Sequence, residues 1–262
     1  MKIGLALSGG AARGVAHLGV LKALRELNIE VGIMSGVSSG AIAAVFFAAG
    51  YAPDDILRLI KQLTIFKVAR PSFGRLGLMH LDEIEKLYQM HLGANACFED
   101  LNIPVIISAT EMKEGVTAYF STGNLIQPLL ATTAVPILYR PIHYKNMLLC
   151  DGGLLNNLPI DPLYNNCDLK IGVHVNPINH QAELVSIRNM VERAVQLGVN
   201  NNVKLRLHLC DMLLEPQELK HYRLVDFRKA DEIFEIGYKY TLHMEKHLRA
   251  LIGVFESKMK KD

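Results

Sequence analysis

The sequence predicts an α/β protein with parallel strands that are covered by helices on both faces. Short apolar runs typical of buried strands alternate with segments of helical periodicity, and the chain opens as strand, helix, strand, helix. Strands joined through a helix run parallel and bury both faces of their sheet. Because the 262 residues are half apolar and contain no repeat or linker, we expect one domain over residues 1–262.

The first four elements establish this pattern. Residues 3–8, IGLALS, read as a buried strand, and residues 14–27 repeat apolar side chains at helical spacing. A second strand around 29–35 leads into a helix of mostly short side chains, AIAAVFFAAG. We therefore expect at least these two strands to be parallel neighbours.

The rest of the chain continues the alternation to its end. We expect strands at 104–110, 116–121, 147–150 and 170–175. We expect helices at 53–63, 81–92, 124–134, 184–204 and 229–252. The last two are long helices that close the chain.

Residues 66–79 combine glycine, proline, three basic residues and several apolar side chains, and two interpretations stay open. They form a mobile flap or an ordinary surface loop. The apolar residues are Phe66, Phe73, Leu76, Leu78 and Met79, and the basic ones are Lys67, Arg70 and Arg75. We expect a weak, transient peripheral contact of this flap with membranes. The basic tail, with Lys258, Lys260 and Lys261, reads as a frayed, solvated terminus.

Composition excludes several classes of function. A net charge of +2 is too small to indicate a nucleic-acid partner. The longest apolar stretch is shorter than the roughly twenty residues of a membrane span, and the start lacks a signal-peptide core, so we expect a soluble, cytoplasmic protein. The four cysteines are scattered, which argues against a zinc site and against disulfides. We expect neither a metal nor an organic cofactor.

The segment GVSSG at 36–40 stands between an apolar β-prone run and a helix, with Ser38 at the apex of the turn. Such a nucleophile elbow strains the serine backbone and packs strand against helix too closely for side chains at Gly36 and Gly40. An activated serine is the first hypothesis. An ordinary glycine-rich turn is the alternative.

A second glycine pair, Gly9 and Gly10, lies where the first strand hands over to a helix. Free backbone amides at such a place bind negative charge. A phosphate cradle lacks the GxGxxG spacing and a following GK[ST]. An oxyanion hole for Ser38 agrees better, since loops after neighbouring parallel strands emerge at one edge of the sheet. A plain tight turn stays open.

Ser38 needs a base, and no histidine stands in a persuasive setting. His174, His180, His208 and His221 follow the serine, but an elbow after only the second strand is too early for an α/β-hydrolase triad. Asp151 is the better candidate, because it ends the apolar run MLLC directly before two glycines. Burial that raises its pKa would make it an effective base. DGG alone is more often a turn signal.

Four ordered blocks resemble the patatin-like phospholipase family over residues 3–177, with similarity to its small bacterial members and to the catalytic domain of neuropathy target esterase. The blocks are SGGAARG at 8–14, GVSSG at 36–40, ATTAVP at 131–136 and DGGLLNNLP at 151–159. The resemblance implies a three-layer α/β/α sandwich with a mostly parallel central sheet. It also implies a serine–aspartate dyad without histidine.

Carried over by position, the resemblance assigns Ser38 as nucleophile and Asp151 as base. Gly9 and Gly10 correspond to the oxyanion amides, and Arg13 to the family's basic position beside that loop. The remaining motif positions are glycines: Gly14, Gly36, Gly40, Gly152 and Gly153. Thr132 stands where the family often has serine, and His174 where an acid is common, which leaves substrate preference open.

The implied function is hydrolysis of lipid acyl esters through an acyl-serine intermediate, as in a phospholipase A, lysophospholipase or esterase. The partner would be a lipid or acyl-ester substrate, met as a cytoplasmic protein or at the inner membrane surface. Acyl transfer on the same dyad, and a lipid-binding regulatory protein with little turnover, are the alternatives. Headgroup, chain length and oligomeric state are not predicted.

Overall fold

The computed structural model describes residues 1–68, 81–181 and 185–259. An eight-stranded mixed sheet runs through its centre, in the order β5-β6-β3-β2-β1-β7-β8, with β4 also paired to β3. The strands are β1 Ile3–Leu7, β2 Ile33–Gly36, β3 Val105–Glu111, β4 Val116–Phe120, β5 Ile142–Tyr144, β6 Met147–Asp151, β7 Leu169–Val173 and β8 Met212–Leu214. The helices are α1 Ala16–Glu26, α2 Ser39–Ala48, α3 Pro53–Val68, α4 Asp82–Leu92, α5 Ile126–Thr133, α6 Ile187–Lys204, α7 Ala230–His243 and α8 Glu245–Met259.

Five strands, β1, β2, β3, β7 and β8, are parallel, and β4, β5 and β6 pair antiparallel to their neighbours. The predicted parallel pairing of the first two strands is confirmed, with Leu5 opposite Met34. Strands β1 and β2 are buried along their whole length, which explains their continuous apolar runs.

Alternate side chains of the central strands enter two separate cores. Leu5, Leu7 and Met34 join the large core shared with α1, α2, α5 and α7. Ala6 and Ile33 point to the opposite face and pack with a second core that contains Leu158, Leu163 and Val203 of α6. Since both faces are covered, the predicted three-layer α/β/α arrangement with a mostly parallel sheet is confirmed.

The predicted single helix over 229–252 is wrong. α7 ends at His243 and α8 begins at Glu245, and the Met244 amide bonds to both the Tyr240 and the Thr241 carbonyls in the turn between them. Neither proline nor glycine marks this break, so the apolar periodicity runs through it. The three-residue strands β5 and β8 were not predicted, because three residues are too few to show a period.

Two sequence predictions fall largely outside the described residues. α3 extends to Val68, so the first three residues of the predicted flap are helical and residues 69–79 are not described. Of the basic tail, Lys258 lies in α8, while Lys260 and Lys261 are not described. In the parts of the chain that the structure describes, every helix is too short or too polar to cross a bilayer.

Candidate active site

Strands β2 and β6 meet end to end beside β3, and this brings Ser38 and Asp151 together. One edge of β3 pairs with β4, and its other edge pairs first with β2 and then with β6. β2 ends at Gly36 opposite Ile107, and the antiparallel β6 ends at Asp151 opposite Ala109. Both strands therefore stop within two β3 residues of each other, and the turns that follow them face one another.

Ser38 sits at the apex of the turn in a strained backbone conformation, with φ 52° and ψ −125°. Its amide donates to the Thr132 hydroxyl over 2.8 Å, and that hydroxyl donates to the Ser108 carbonyl over 2.7 Å. A Cβ at Gly40 would collide with the Leu7 and Ser8 carbonyl oxygens. The elbow is thus held from α5 and from β3, and it packs directly on the end of β1.

Asp151 is buried, with 7% of its surface exposed. Its Oδ1 accepts the Gly153 amide over 2.8 Å. The Ser38 side chain lies near enough to the carboxylate to favour its ionised form. Burial raises the Asp151 pKa to about 6, and the Ser38 side chain and the Gly153 hydrogen bond offset only part of that effect. At neutral pH the carboxylate is ionised, yet it is a far better proton acceptor than an exposed aspartate.

The loop after β1 lies against the elbow. A Cβ built on Gly9 would lie 3.3 Å from the Ser38 Cβ and 2.5 Å from Asn157 Oδ1, so this approach requires glycine. The Gly9 amide donates to the Asn157 carbonyl over 3.3 Å, whereas the Gly10 amide has no acceptor among the described residues. Of the two predicted oxyanion donors, Gly10 is therefore the free one.

Ser39 supplies a second free amide that the sequence reasoning did not name. It is the first residue of α2, and its amide has no acceptor within the described chain. The residue after an elbow nucleophile commonly contributes an oxyanion amide, so the elbow motif itself was a usable signal. Gly10 and Ser39 thus offer unpaired donors from the two loops that flank Ser38.

Arg13 is buried, and its side chain and the adjoining backbone contact residues 222–224. Its Nε donates to the Tyr222 carbonyl over 2.7 Å, and the neighbouring Ala12 amide donates to the Leu224 carbonyl over 2.9 Å. Burial lowers the Arg13 pKa to about 10. These contacts fasten the glycine loop to residues 222–224. Among the described residues, no hydrogen bond or ion pair joins the guanidinium to Ser38 or Asp151, so its role beside the loop stays a prediction.

The other motif glycines mark close approaches around the same turns. A Cβ at Gly14 would collide with the Ser39 side chain, one at Gly36 with the Ala41 backbone, and one at Gly152 with the Ser108 carbonyl. A Cβ at Gly153 would lie 2.6 Å from Asn157 Oδ1. Asn157 is therefore wedged between Gly153 and the glycine loop.

No histidine hydrogen-bonds to Ser38 or Asp151 within the described residues. His174 Nδ1 bonds to Glu215 Oε1 at 2.7 Å. His17 Nε2 bonds to the Ser8 carbonyl at 2.7 Å, and burial lowers its pKa to about 4, so its ring is neutral. In the same part of the chain, no three or more His, Cys, Asp or Glu side chains are grouped so as to hold a metal ion.

Comparison with known proteins agrees with the resemblance that the four sequence blocks indicate. A family model described as patatin-like phospholipase matches residues 5–164. An uncharacterized NTE family protein of Mycobacterium tuberculosis is 35% identical over 179 residues, which are 67% of this chain and 49% of that protein. A lysophospholipase of Kluyveromyces lactis, NTE1, is 25% identical over 94% of this chain and 19% of its own length. The chain thus spans about half the mycobacterial relative and about a fifth of the Kluyveromyces one.

The fold has a relative among solved structures. VipD from Legionella pneumophila aligns with a TM-score of 0.61 and 15% identity, over 94% of this chain and 67% of VipD. At that identity the likeness concerns the fold alone. The family model, by contrast, covers more than half of the chain and contains the elbow, the glycine loop and the DGG turn. The chain belongs to the patatin-like phospholipase family.

Proposed function

We propose that the protein is a serine lipid acyl hydrolase that works through a Ser38–Asp151 dyad. The observation that carries this proposal is the placement of a serine at a strained elbow beside a buried carboxylate, which its side chain influences and whose pKa burial raises to about 6. A serine hydroxyl is hardly ionised near neutral pH and needs such a base within hydrogen-bond reach. Phospholipase A, lysophospholipase and simple esterase activities all use this chemistry.

In the first half-reaction, Ser38 Oγ attacks the ester carbonyl carbon and Asp151 accepts the hydroxyl proton. The carbonyl oxygen becomes an oxyanion, and the unpaired Gly10 and Ser39 amides are the donors that stabilise it. The tetrahedral intermediate collapses, the C–O bond to the alcohol breaks, and Asp151 returns the proton to the leaving oxygen. An acyl-Ser38 ester and a free alcohol or lysolipid result.

The second half-reaction repeats these steps with water. Asp151 takes a proton from water as its oxygen attacks the acyl carbon, and it then protonates Ser38 Oγ as the fatty acid leaves. A carboxylic acid with a pKa of about 6 protonates an alkoxide readily, but an amine leaving group requires proton donation at an earlier stage. We therefore propose an esterase rather than a protease.

The names of the relatives support a lipid substrate. The matching family model is described as a phospholipase, and NTE1 of Kluyveromyces lactis is named a lysophospholipase. A lipid substrate also implies contact with a lipid surface. The predicted flap contact at 66–79 stays a prediction, since most of that segment lies outside the described residues.

α6 offers a second, described surface for such contact. Five of its large apolar side chains are exposed, and they are Ile187, Met190, Val191, Val195 and Leu197. Asn189, Gln196 and Asn200 are half-buried or buried, so the first three turns of the helix expose apolar side chains while polar ones face inward. Among the described residues of the helix, only the last turn packs an apolar residue, Val203, into the second core. The orientation of the first three turns is the reverse of an ordinary surface helix.

The outward face of α6 favours a lipid phase as its occupant. From Ile187 to Leu197, the exposed side chains that the structure describes are apolar and include no Tyr, Trp or Arg, the residues that dominate protein–protein hot spots. The same helix touches the candidate site, because Asn202 donates to the Gly153 carbonyl over 3.1 Å and accepts the Asn157 amide over 2.9 Å. We propose that this face rests on the lipid while the site takes up its substrate.

Flotation with phosphatidylcholine vesicles tests the lipid contact. The variant Ile187→Ser/Met190→Ser/Val191→Ser should float at least fivefold less than wild type, whereas Val254→Ser, an exposed apolar position on α8, should not differ. Equal flotation of the triple variant and wild type would contradict the contact. Concentration-dependent self-association that the triple variant alone loses would assign the face to a second copy instead.

Hydrolysis assays test the function itself. Wild-type protein should release free fatty acid from phosphatidylcholine or lysophosphatidylcholine micelles, and Ser38→Ala and Asp151→Asn should each lower that rate at least a thousandfold. Addition of an alcohol or a lysolipid acceptor separates hydrolysis from acyl transfer, because a transferase would form the acylated acceptor instead of free acid. A wild-type protein that binds these lipids without turnover would be a regulatory binding protein.

A further inference from the structure

Three buried side chains donate hydrogen bonds to two carbonyl groups of the loop after β1. His17 Nε2 donates to the Ser8 carbonyl over 2.7 Å. The Gly9 carbonyl accepts from Asn176 Nδ2 over 2.6 Å and from Asn157 Nδ2 over 3.3 Å. All three side chains are at least nine-tenths buried, with 0% exposure for His17 and 4% for each asparagine.

The geometry of a trans peptide links these contacts to the Gly10 amide. The carbonyl of Gly9 and the N–H of Gly10 belong to one peptide plane and point in opposite directions. Donors that fix the Gly9 oxygen on the interior side therefore fix the Gly10 N–H on the other side. This N–H has no acceptor among the described residues, so it is free to bind an incoming oxyanion.

The peptide plane between two glycines is also the one that rotates most easily. Neither residue has a Cβ to restrict its backbone, so the plane between Gly9 and Gly10 can rotate at little steric cost. A rotation by half a turn would replace the N–H donor with a carbonyl oxygen, which repels an oxyanion. The close approach of the loop to Ser38 requires glycine at position 9. Because glycine leaves the Gly9–Gly10 peptide free to rotate, other contacts must hold this peptide in one orientation.

We propose that Asn176 and Asn157 are positioning residues that lock the Gly9–Gly10 peptide with its N–H toward Ser38, an inference that rests on the proposed hydrolase function. Asn176 is the main restraint because its bond is the shorter one. An asparagine suits this task since its amide donates without introducing charge. An aspartate of the same shape would place a second oxygen against the Gly9 carbonyl.

His17 acts in the same way on the preceding peptide. Its bond to the Ser8 carbonyl fixes the Gly9 N–H in the opposite direction, where it meets the Asn157 carbonyl. Asn157 therefore contacts the loop through its backbone oxygen and its side chain. It also joins the loop to the DGG turn, because its backbone amide donates to Asn202 Oδ1 while Asn202 Nδ2 donates to the Gly153 carbonyl.

Steady-state kinetics on a soluble ester, p-nitrophenyl butyrate, test the lock. Asn176→Ala and Asn176→Asp should lower kcat about 10- to 100-fold and change KM less than threefold, because an oxyanion donor acts in the transition state rather than in the ground state. The inhibition constant of an alkyl trifluoromethyl ketone, which binds as a tetrahedral oxyanion, should rise in parallel. Asn176→Ser, with a hydroxyl donor, should recover part of kcat.

The matched control is Asn156→Ala. Asn156 is equally buried in the same turn, but its amide donates to the Tyr119 hydroxyl and to Asp161, away from the loop. It should leave kcat and the ketone inhibition constant within threefold of wild type, with thermal unfolding used to verify that every variant is folded.

The outcomes separate this inference from the function on which it rests. Absence of turnover in wild type would contradict the proposed function and the lock with it. Wild-type turnover that Asn176→Ala and Asn176→Asp retain, or a loss that appears in KM alone, would overturn the lock and leave the dyad standing. If Asn176→Ala does not fold, the ratio of kcat between Asn176→Ser and Asn176→Asp decides, and equal values would overturn the lock.

Discussion

Ser38 is held in a conformation that a serine does not adopt by preference. A non-glycine residue at φ 52° and ψ −125° is strained by about 1 to 3 kcal/mol, which the surroundings must supply. The Thr132 hydroxyl helps to offset this strain, because it accepts a hydrogen bond from the Ser38 amide and donates one to the Ser108 carbonyl. One buried hydroxyl therefore ties α5, β3 and the elbow to one another.

Replacement of Thr132 tests this restraint. Thr132→Val keeps the shape but removes both hydrogen bonds, and it leaves the Ser38 amide and the Ser108 carbonyl without their partner. We expect a loss of about 2 to 4 kcal/mol in the free energy of unfolding, measured by urea denaturation. Turnover should fall as the elbow relaxes.

Thr132→Ser is the matched control, since it keeps the hydroxyl and deletes only a methyl group. It should retain turnover within about threefold of wild type and cost no more than about 1 kcal/mol. Equal stability of the valine and serine variants would show that the hydroxyl does not restrain the elbow.

Ionisation of Asp151 should lower the free energy of unfolding. Its pKa is about 6 in the folded protein against a reference value of 3.8, so the folded state favours the protonated form. The folded protein consequently loses stability as pH rises from about 4 through about 6, by up to about 3 kcal/mol from this group. Asparagine is nearly isosteric and carries no such penalty.

We therefore expect Asp151→Asn to be more stable than wild type at pH 8, with an advantage that shrinks toward zero at pH 4. Thermal or urea unfolding of the two proteins across that range measures the difference. A variant that is less stable than wild type at pH 8, or a difference that does not change with pH, would contradict the raised pKa.

Sequence reasoning identifies the proposed catalytic residues better than the residues that hold them in position. Glycines next to the strand ends identify Ser38 and Asp151, because the tight packing of both turns leaves no room for a side chain at these glycines. Thr132, Asn157 and Asn176 reach the site from segments 94, 148 and 167 positions away from their partners. Such long-range contacts have no local sequence pattern, so only the folded chain shows them.

Among the elements, the meeting of β2 and β6 is the arrangement that brings Ser38 and Asp151 together. The sequence predicts three glycine-marked strand ends, and the first two do follow parallel neighbours. β6 approaches from the opposite direction, and it pairs with the part of β3 that extends beyond β2. Its direction depends on the pairing register of β3, which the apolar pattern of MLLC does not encode.

α1 and α7 pack through glycines on both helices. A Cβ on Gly237 would collide with the Ala16 carbonyl, and one on Gly19 with the Phe234 carbonyl. The two helix backbones thus approach each other closely behind the loop that carries Gly9 and Gly10. Since α1 follows that loop directly, its position fixes where the loop can lie.

Gly237→Ala should therefore destabilise the protein by about 1 to 3 kcal/mol, since the contact is with backbone and cannot be relieved by a side-chain rotation. Urea denaturation gives the value. Gly253→Ala in α8 is the control, because a Cβ there meets nothing within 4 Å. That substitution should stabilise the protein by up to about 1 kcal/mol through helix propensity alone. Similar effects at the two positions would contradict the close packing of α1 and α7.

At the scale of the whole molecule, strand and helix alternation was enough to predict a parallel sheet between two layers. Buried strands are apolar along their whole length, so this signal is strong and local. The break at Met244 and the outward apolar face of α6 were beyond prediction. The break at Met244 has no proline or glycine to mark it. The apolar face of α6 produces the same periodicity whether it points to the core or to solvent.

The whole fold places Ser38, Asp151 and the Gly10 and Ser39 amides, which have no acceptor among the described residues, at the ends of the central strands. We propose them as the nucleophile, the base and the oxyanion donors. In the proposed mechanism, the reactivity of Ser38 depends on the ionisation of Asp151. The carboxylate is the active form, so the rate should rise with pH through about 6 and then level off.

The most direct measurement is the rate of labelling by a fluorophosphonate between pH 4.5 and pH 8, with the adduct located by mass spectrometry. We predict an adduct on Ser38, a rate that follows a single pKa near 6, no adduct in Ser38→Ala and at least hundredfold slower labelling in Asp151→Asn. An adduct on another residue, or near-normal labelling of Asp151→Asn, would contradict the dyad.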